Sequence, residues 1–283
     1  MYRIAILGCE NSHAFAFLDR FAGENPEGIK IAGVYSDEQE PVQKIHEKYG
    51  VPVMENYDQL AGQVDGVVIT ARHGDNHYKY ARPYIPYGIP MFIDKPITCS
   101  EAEAVEFMRD LKAHGIRVSG GSICPHAPEA QQLAQRVKED GAVGGSIFCP
   151  ISMDSPYGGF HFYCQHLVET MLAVFGYDIQ AVNASRREGS LSLIARYPDF
   201  DVTGTFVDGG FGQFYVTVAQ QKQMHSAGLT LSSNCSADEM VNLLRGCPMP
   251  KDYDTFIRPV FVHNAILRSV EKNGWEEIRT VQV

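Results

Sequence analysis

The tripeptide Asp94-Lys95-Pro96 holds the side chains most suited to chemistry in the first half of this chain. Met91-Phe92-Ile93 before it reads as a buried strand that ends on the carboxylate, the lysine and the proline. A lysine just past the carboxyl end of a strand stands where open α/β sheets bind their ligands. Proline stops the strand there and fixes the backbone that leaves it. Five further side chains, His73, His77, His161, Cys164 and His166, raise the question of a metal. His161 and Cys164, three residues apart, can share a helical face, but zinc needs three or four protein ligands, so no metal site is expected. Tyr157, Phe160, Phe162 and Tyr163 can stack on a sugar face, although aromatics entering a helix are more commonly core. Nothing has the pattern of a nucleophile elbow or of a serine, histidine and aspartate triad.

The elements that must position these residues alternate at first between strand and helix. Arg3–Gly8 is a near-continuous apolar run, as suits a strand covered on both faces. A helix from Ser12, with Phe15, Leu18 and Phe21 at helical spacing, leads to a strand over Ile29–Tyr35. Pro41 opens a helix that closes at Tyr49-Gly50, and Asp65–Thr70 is another buried strand, followed by a helix carrying His77. Ser100-Glu101-Ala102-Glu103 is a capping box that begins a helix running to His114-Gly115, and Arg117–Gly120 is the next strand. Such alternation implies an α/β, doubly wound parallel sheet with right-handed crossovers.

After Gly121 the pattern changes. Pro128–Asp140 reads as a helix, Ser146–Met153 as a strand, and Phe162–Phe175 as a helix after a Gly/Pro/aromatic loop. Strand-like runs follow at Ala181–Ser185, Leu191–Tyr197, Val202–Val207 and Phe214–Val218, the last three able to pair as an antiparallel meander. Ser236–Arg245 and Thr255–Asn273 read as helices. Two domains are expected, residues 1–121 and 122–283, the second an α+β domain with an open, mainly antiparallel sheet. Its final helix is placed to pack back on the first domain.

With 45% hydrophobic and 20% charged residues, the composition is that of a globular protein with a sizeable core. A net charge of −10, with no basic block, argues against nucleic acid as a partner. No apolar run reaches membrane-spanning length, and the amino terminus enters a strand without the pattern of a signal peptide. Seven scattered cysteines without C-x-x-C spacing fit reduced thiols, so a cytoplasmic location is expected.

Taken jointly, several spacings resemble the glucose–fructose oxidoreductase / inositol dehydrogenase (Gfo/Idh/MocA) family. Gly8 ends the first strand, and Tyr49-Gly50-Val51-Pro52 is similar to the family's Y-G-V-P. His77 stands eighteen residues before Lys95, with Gly88 between, as in the run into the family's E-K-P. Gly121, Pro128 and Gly141-Ala142-Val143-Gly144 keep the family's spacing, and Gly158-Gly159, His166, Glu169 and Gly176 follow its G-G…H-x-x-D…G helix. The resemblance spans residues 1–176 by motif and the remainder by the order of elements.

It implies a Rossmann-type first domain, NAD or NADP as cofactor, and hydride transfer from a sugar, polyol or related hydroxy compound. Lys95 and His166 would be the catalytic pair, the ammonium stabilising oxyanion charge and the imidazole acting as general base. Glu169, one turn on, would orient the helix or the imidazole. Gly8, Glu10, Asn11, Ser12, His13, Ser36, Asp37, Thr70, Ala71, Arg72, His77, Asp94, Lys95 and Pro96 would line the cofactor cleft. Cys124, His161, Tyr163 and Glu169 would face the small-molecule substrate. An open face on the second sheet implies self-association as a dimer or tetramer.

The chain departs from the family pattern in four respects. Glu10 takes the second glycine position of the phosphate loop and His13 the third. A carboxylate about 4 Å from a phosphate charge, at an effective dielectric near 20, costs roughly 4 kcal/mol unless it turns away or is neutralised. His13, Arg72 or His73 can supply the charge, and Ser12 or Asn11 can cap the helix start. Phe162 stands where relatives place an aspartate one turn before the histidine, Cys124-Pro125-His126 replaces an asparagine and arginine pair, and Asp94 replaces glutamate. Ser36 takes the place of the ribose-binding acid, with Asp37 one residue late, which leaves NAD against NADP open. Two other readings follow from these departures: a non-redox ligand-binding or regulatory protein, and a redox-neutral enzyme holding its NAD tightly.

Overall fold

The protein is described by a computed structural model covering residues 1–283 apart from Phe211 and Val281. The chain forms two compact units, one of Met1–Gly121, Ser233–Phe256 and Val283, the other of Ser122–Ser232 and Ile257–Gln282. Long apolar runs in the first unit become the strands β1 (Tyr2–Leu7), β2 (Ile29–Tyr35), β3 (Gly66–Ile69), β4 (Met91–Asp94) and β5 (Val118–Gly121). They build one parallel sheet in the order β2-β1-β3-β4-β5. Every residue of β3, β4 and β5 is buried, because helices cover both faces. A parallel bridge from Val34 to Val53 extends the sheet beyond β2, so the chain crosses over at β1 and β3 as in a Rossmann fold.

The covering helices are α1 (Phe15–Phe21), α2 (Gln39–Tyr49), α3 (Asp75–Ala81) and α4 (Glu101–Ala113). Ser100 caps α4, its hydroxyl accepting from the Glu103 amide at 3.4 Å. A helix distant in sequence, α7 (Asn234–Leu244), also belongs to this unit. Its Ala237, Met240, Val241 and Leu244 join the core formed by Ile4, Ile6, Val68 and Phe92, and Ser119 donates to Glu239 at 2.7 Å.

The second unit holds a seven-stranded sheet in the order β11-β10-β6-β9-β8-β7-β12. Its strands are β6 (Gly144–Ile151), β7 (Ala181–Arg187), β8 (Ser190–Arg196), β9 (Asp201–Asp208), β10 (Tyr215–Ala219), β11 (Met224–Gly228) and β12 (Glu276–Glu277), with helices α5 (Pro128–Asp140) and α6 (His161–Phe175). The helix α8 runs over Tyr253–Lys272. The expected meander of three strands is corrected here. β7, β8 and β9 pair antiparallel, but β6 lies between β9 and β10, parallel to β9 and antiparallel to β10. Alternation of apolar residues fixes which face of a strand is buried and says nothing of its neighbour. β11, Met-His-Ser-Ala-Gly, lacks any apolar alternation, so the sequence carries no strand signal there.

Gly120 shows how tightly β4 and β5 must approach. It has φ +131°, and a Cβ there would lie 1.9 Å from the Ile93 carbonyl oxygen. Backbone cannot yield as a flexible side chain can, so Gly120→Ala is expected to destabilise the protein by at least about 2 kcal/mol. A urea unfolding midpoint shifted by less than the equivalent of about 0.5 kcal/mol would show that the sheet relaxes around it.

Candidate active site

Three loops of the first unit meet at the carboxyl ends of β1, β3 and β4, and polar side chains hold them together. Gly8 leaves β1 with φ +81°, and a Cβ there would stand 2.3 Å from the backbone of Ala71. Thr70 closes the same approach by donating its hydroxyl to the Gly8 carbonyl at 3.0 Å. Glycine is required at this turn so that the segments after β1 and β3 can touch.

The Glu10 carboxylate is satisfied within the protein. One oxygen accepts from the Ser36 hydroxyl at 2.7 Å, the other from the Arg72 amide at 3.0 Å. The side chain thus spans from the end of β2 to the end of β3. The cations expected to balance it are turned elsewhere: His13 onto Asp94, the Arg72 guanidinium toward Glu38 at 3.8 Å and His73 toward Asp75 at 3.7 Å. Asp37 is drawn away from the strand ends, accepting from Tyr35 at 2.5 Å and Tyr80 at 2.7 Å, with Lys79 at 3.9 Å. Of the two acids near β2, Glu10 is the one held against Ser36.

Asp94 is the second junction. Its carboxylate, 2% exposed, accepts from Asn11 Nδ2 at 3.1 Å and from His13 Nδ1 at 2.8 Å. The acceptor-only carboxylate fixes the His13 tautomer, with the proton on Nδ1. Burial by itself would raise the Asp94 pKa, but His13, Lys95 and His77 outweigh it and hold the carboxyl below the ordinary aspartate value. Asn11 also caps the first helical turn, accepting from the His13 amide at 3.3 Å, while Ser12 faces solvent. The helix start, an intrinsic site for anions, is therefore fixed beside Lys95.

Lys95 is 1% exposed, and its bond to Pro96 is cis. His77 is fully buried between backbone carbonyls, Ala71 at 2.9 Å and Ile97 at 3.2 Å from its ring nitrogens. Burial lowers its pKa, against the two backbone carbonyls and the Asp94 charge that favour the protonated ring. Its place is under the strand ends, tying the segment after β3 to the segment after Pro96.

In the second unit, His166 lies on α6, 3% exposed. Its Nδ1 is 2.8 Å from the Ser122 hydroxyl and 3.6 Å from Cys124 Sγ. The rings of Tyr163 and Phe214 flank it at 4.8 and 5.6 Å between centroids. Glu169 accepts from the Ser122 amide at 2.9 Å and from the Gln165 side chain, so it fixes the loop whose hydroxyl meets His166. Phe162, in the position of the missing aspartate, packs on Tyr157 and Tyr163. His166 is held by Ser122, a residue with no signal in the sequence beyond its place after Gly120-Gly121. Cys124 is buried beside this pair, whereas His161 turns toward His263 of α8, 6.0 Å between ring centroids.

These two sets of residues suit a dinucleotide in the first unit and acid–base work on a hydroxyl in the second. Comparison with known proteins gives a family match for the first part and a likeness of fold for the whole. Residues 2–122 match the family described as "Oxidoreductase family, NAD-binding Rossmann fold" (Gfo/Idh/MocA). No curated protein matches the chain by sequence. Myo-inositol 2-dehydrogenase from Lactobacillus plantarum superposes with a TM-score of 0.85 at 14% identity, over 98% of this chain and 99% of that one. Scyllo-inositol dehydrogenase from Lactobacillus casei, solved with bound NAD(H) and scyllo-inositol, gives 0.82 at 12% identity, over 98% and 99%. GenD2 of gentamicin A biosynthesis, solved in complex with NAD, gives 0.83 at 18% identity, over 99% and 97%. Residues 2–122 thus match the Gfo/Idh/MocA oxidoreductase family with its NAD-binding Rossmann fold, and along its length the chain has the fold of the inositol dehydrogenases.

Proposed function

We propose that this protein is an NAD-dependent dehydrogenase that oxidises a secondary alcohol of a sugar, a cyclic polyol or a related hydroxy compound. The observation that carries the reading is Lys95, an almost wholly buried lysine at the carboxyl end of β4 beside an ionised Asp94. Bound NAD would supply the acceptor for the hydride leaving the carbinol carbon. Lys95 stabilises the negative charge that develops on the substrate oxygen, and His166 takes the hydroxyl proton at Nε2. Ser122 holds Nδ1 of that ring, and Glu169 holds Ser122, so the proton-accepting nitrogen keeps its direction. Cys124 and Tyr163 border the imidazole and shape the space for the substrate.

The cofactor preference in this reading is NAD over NADP, and it rests on Glu10. An acid at the end of the second strand accepts from the adenosine ribose hydroxyls and repels a 2′-phosphate. Ser36 occupies that strand end, and it holds the Glu10 carboxylate at 2.7 Å. The residue that resembles an obstacle in the phosphate loop thereby becomes the ribose acid. Self-association through the second sheet is part of the same proposal. Phe148 and Tyr215, direct partners across β6 and β10, are each 47% exposed on its open face. Sedimentation should give a dimer or tetramer, and a monomer at micromolar concentration counts against this assembly.

Calorimetric titration with NAD⁺, NADH, NADP⁺ and NADPH tests the cofactor assignment. The diphosphonucleotides without the 2′-phosphate should bind at micromolar concentration, and Glu10→Gln should weaken them about tenfold while narrowing the gap to NADP⁺. Tighter NAD⁺ binding by that variant would mark Glu10 as an obstacle instead. No binding of any of the four at millimolar concentration would sink the dehydrogenase reading in favour of a non-redox ligand-binding role.

With a turned-over polyol in hand, Lys95→Ala and His166→Asn should each lower kcat by about 10²–10⁴-fold. His166→Asn should leave NAD⁺ affinity unchanged, and full activity in either variant would remove that residue from the chemistry.

Asp94→Asn probes the junction that presents Lys95. The folded carboxyl titrates below the unfolded value of about 3.9, so its contribution is complete above that pH and is lost as pH falls through the folded value. The variant should be less stable than the parent by about 3 kcal/mol at pH 7, with the difference shrinking toward pH 3. An equal difference at both pH values would contradict an ionised, stabilising Asp94.

A further inference from the structure

Away from the residues assigned to catalysis, one cluster in the second unit combines ligand chemistry with an unmet need. His263 of α8 is completely buried, and among the described residues neither of its ring nitrogens has a hydrogen-bond partner. A buried polar group left so costs about 1–3 kcal/mol, which native interiors rarely tolerate without a reason. Facing it are His161, the first residue of α6, and Cys164, one turn later on the same helix face. One nitrogen of each imidazole and the Cys164 sulfur all lie within 4.8 Å of one another. Ligand atoms around a tetrahedral zinc ion, with Zn–S near 2.3 Å and Zn–N near 2.0 Å, are spaced by roughly 3.5 Å. Small side-chain rotations close that difference.

We propose that His161, Cys164 and His263 form a binding site for a thiophilic divalent cation, with Zn²⁺ as the best match. Two imidazoles and a thiolate suit the borderline softness of Zn²⁺ and disfavour Mg²⁺ or Ca²⁺, which need oxygen ligands. Binding releases the Cys164 proton and leaves the fourth position of the tetrahedron to a water molecule. The ion would fasten the first turn of α6 to α8 and give His263 the partner it lacks. Since His166 is five residues further along α6, the site steadies the helix that carries the general base without entering its chemistry. A second group, His73, Asp75 and Cys99, has ligand atoms equally close, but it is partly exposed and Asp75 is open to solvent, so it serves as the control.

The test uses the full chain, stripped with a chelator, held in a non-thiol reductant and titrated with Co²⁺. A thiolate-to-cobalt charge-transfer band should grow to one equivalent and be bleached by Zn²⁺. Cys164→Ala should abolish the band, His263→Leu should weaken binding by at least about 100-fold, and Cys99→Ser should change neither. Should Cys164→Ala fail to fold, His161→Gln reads the same loss from the least buried ligand. Absence of the band in the parent protein at millimolar Co²⁺ overturns the proposal. So does a band that survives loss of Cys164 or His263, or one that disappears with Cys99.

Discussion

The buried Asp94 carboxylate is the interaction on which the arrangement of the first unit depends. A charge placed under the end of a parallel sheet must be paired and hydrogen-bonded, and the partners here come from the loop after β1. That requirement fixes the start of the first helical turn beside Lys95. The same loop needs Gly8 to pass Ala71, and it sends Glu10 across to Ser36 and Arg72. Three constraints of different kinds, electrostatic, steric and hydrogen-bonded, thus act on six consecutive residues. Breaking one leaves the others without the geometry they rely on.

His166 is held through a relay of Glu169, the Ser122 amide and the Ser122 hydroxyl, while Phe162, one turn before it on α6, packs on Tyr157 and Tyr163. A serine accepts or donates according to the state of the ring, so it holds direction without adding a negative charge. The imidazole is then shielded by Tyr163 and Phe214 in place of a carboxylate. The cation site proposed at the beginning of α6 gives the same helix a second point of attachment, at α8.

Much of the fold was legible because burial and periodicity are local. β2 and α5 have the bounds that their apolar spacing predicts, and β1, β3, β4, β5 and α4 differ by a residue or two at their ends. The Ser100 cap and the Asn11 cap, one of two alternatives, follow from side-chain oxygens adjacent to a helix start. What failed was pairing. Consecutive strands β9 and β10 are separated by β6, and α7 packs under the first sheet although it lies more than a hundred residues beyond β5.

By itself the sequence determined the class of the two sheets, the strand-end position of Lys95, the family pattern and the presence of an anomalous acid at Glu10. These are properties of residue type and spacing along one chain segment. Only the tertiary structure decided that Glu10 turns to Ser36, that Asp37 is taken by Tyr35 and Tyr80, and that Ser122 holds His166. Only it brought His263 to His161 and Cys164, completing a ligand set that α6 alone leaves one short. The reason is the same in each case. A side chain's partner is chosen by which segments the packed sheets and helices bring within about 3 Å of its polar atoms, and that proximity has no image in the linear spacing.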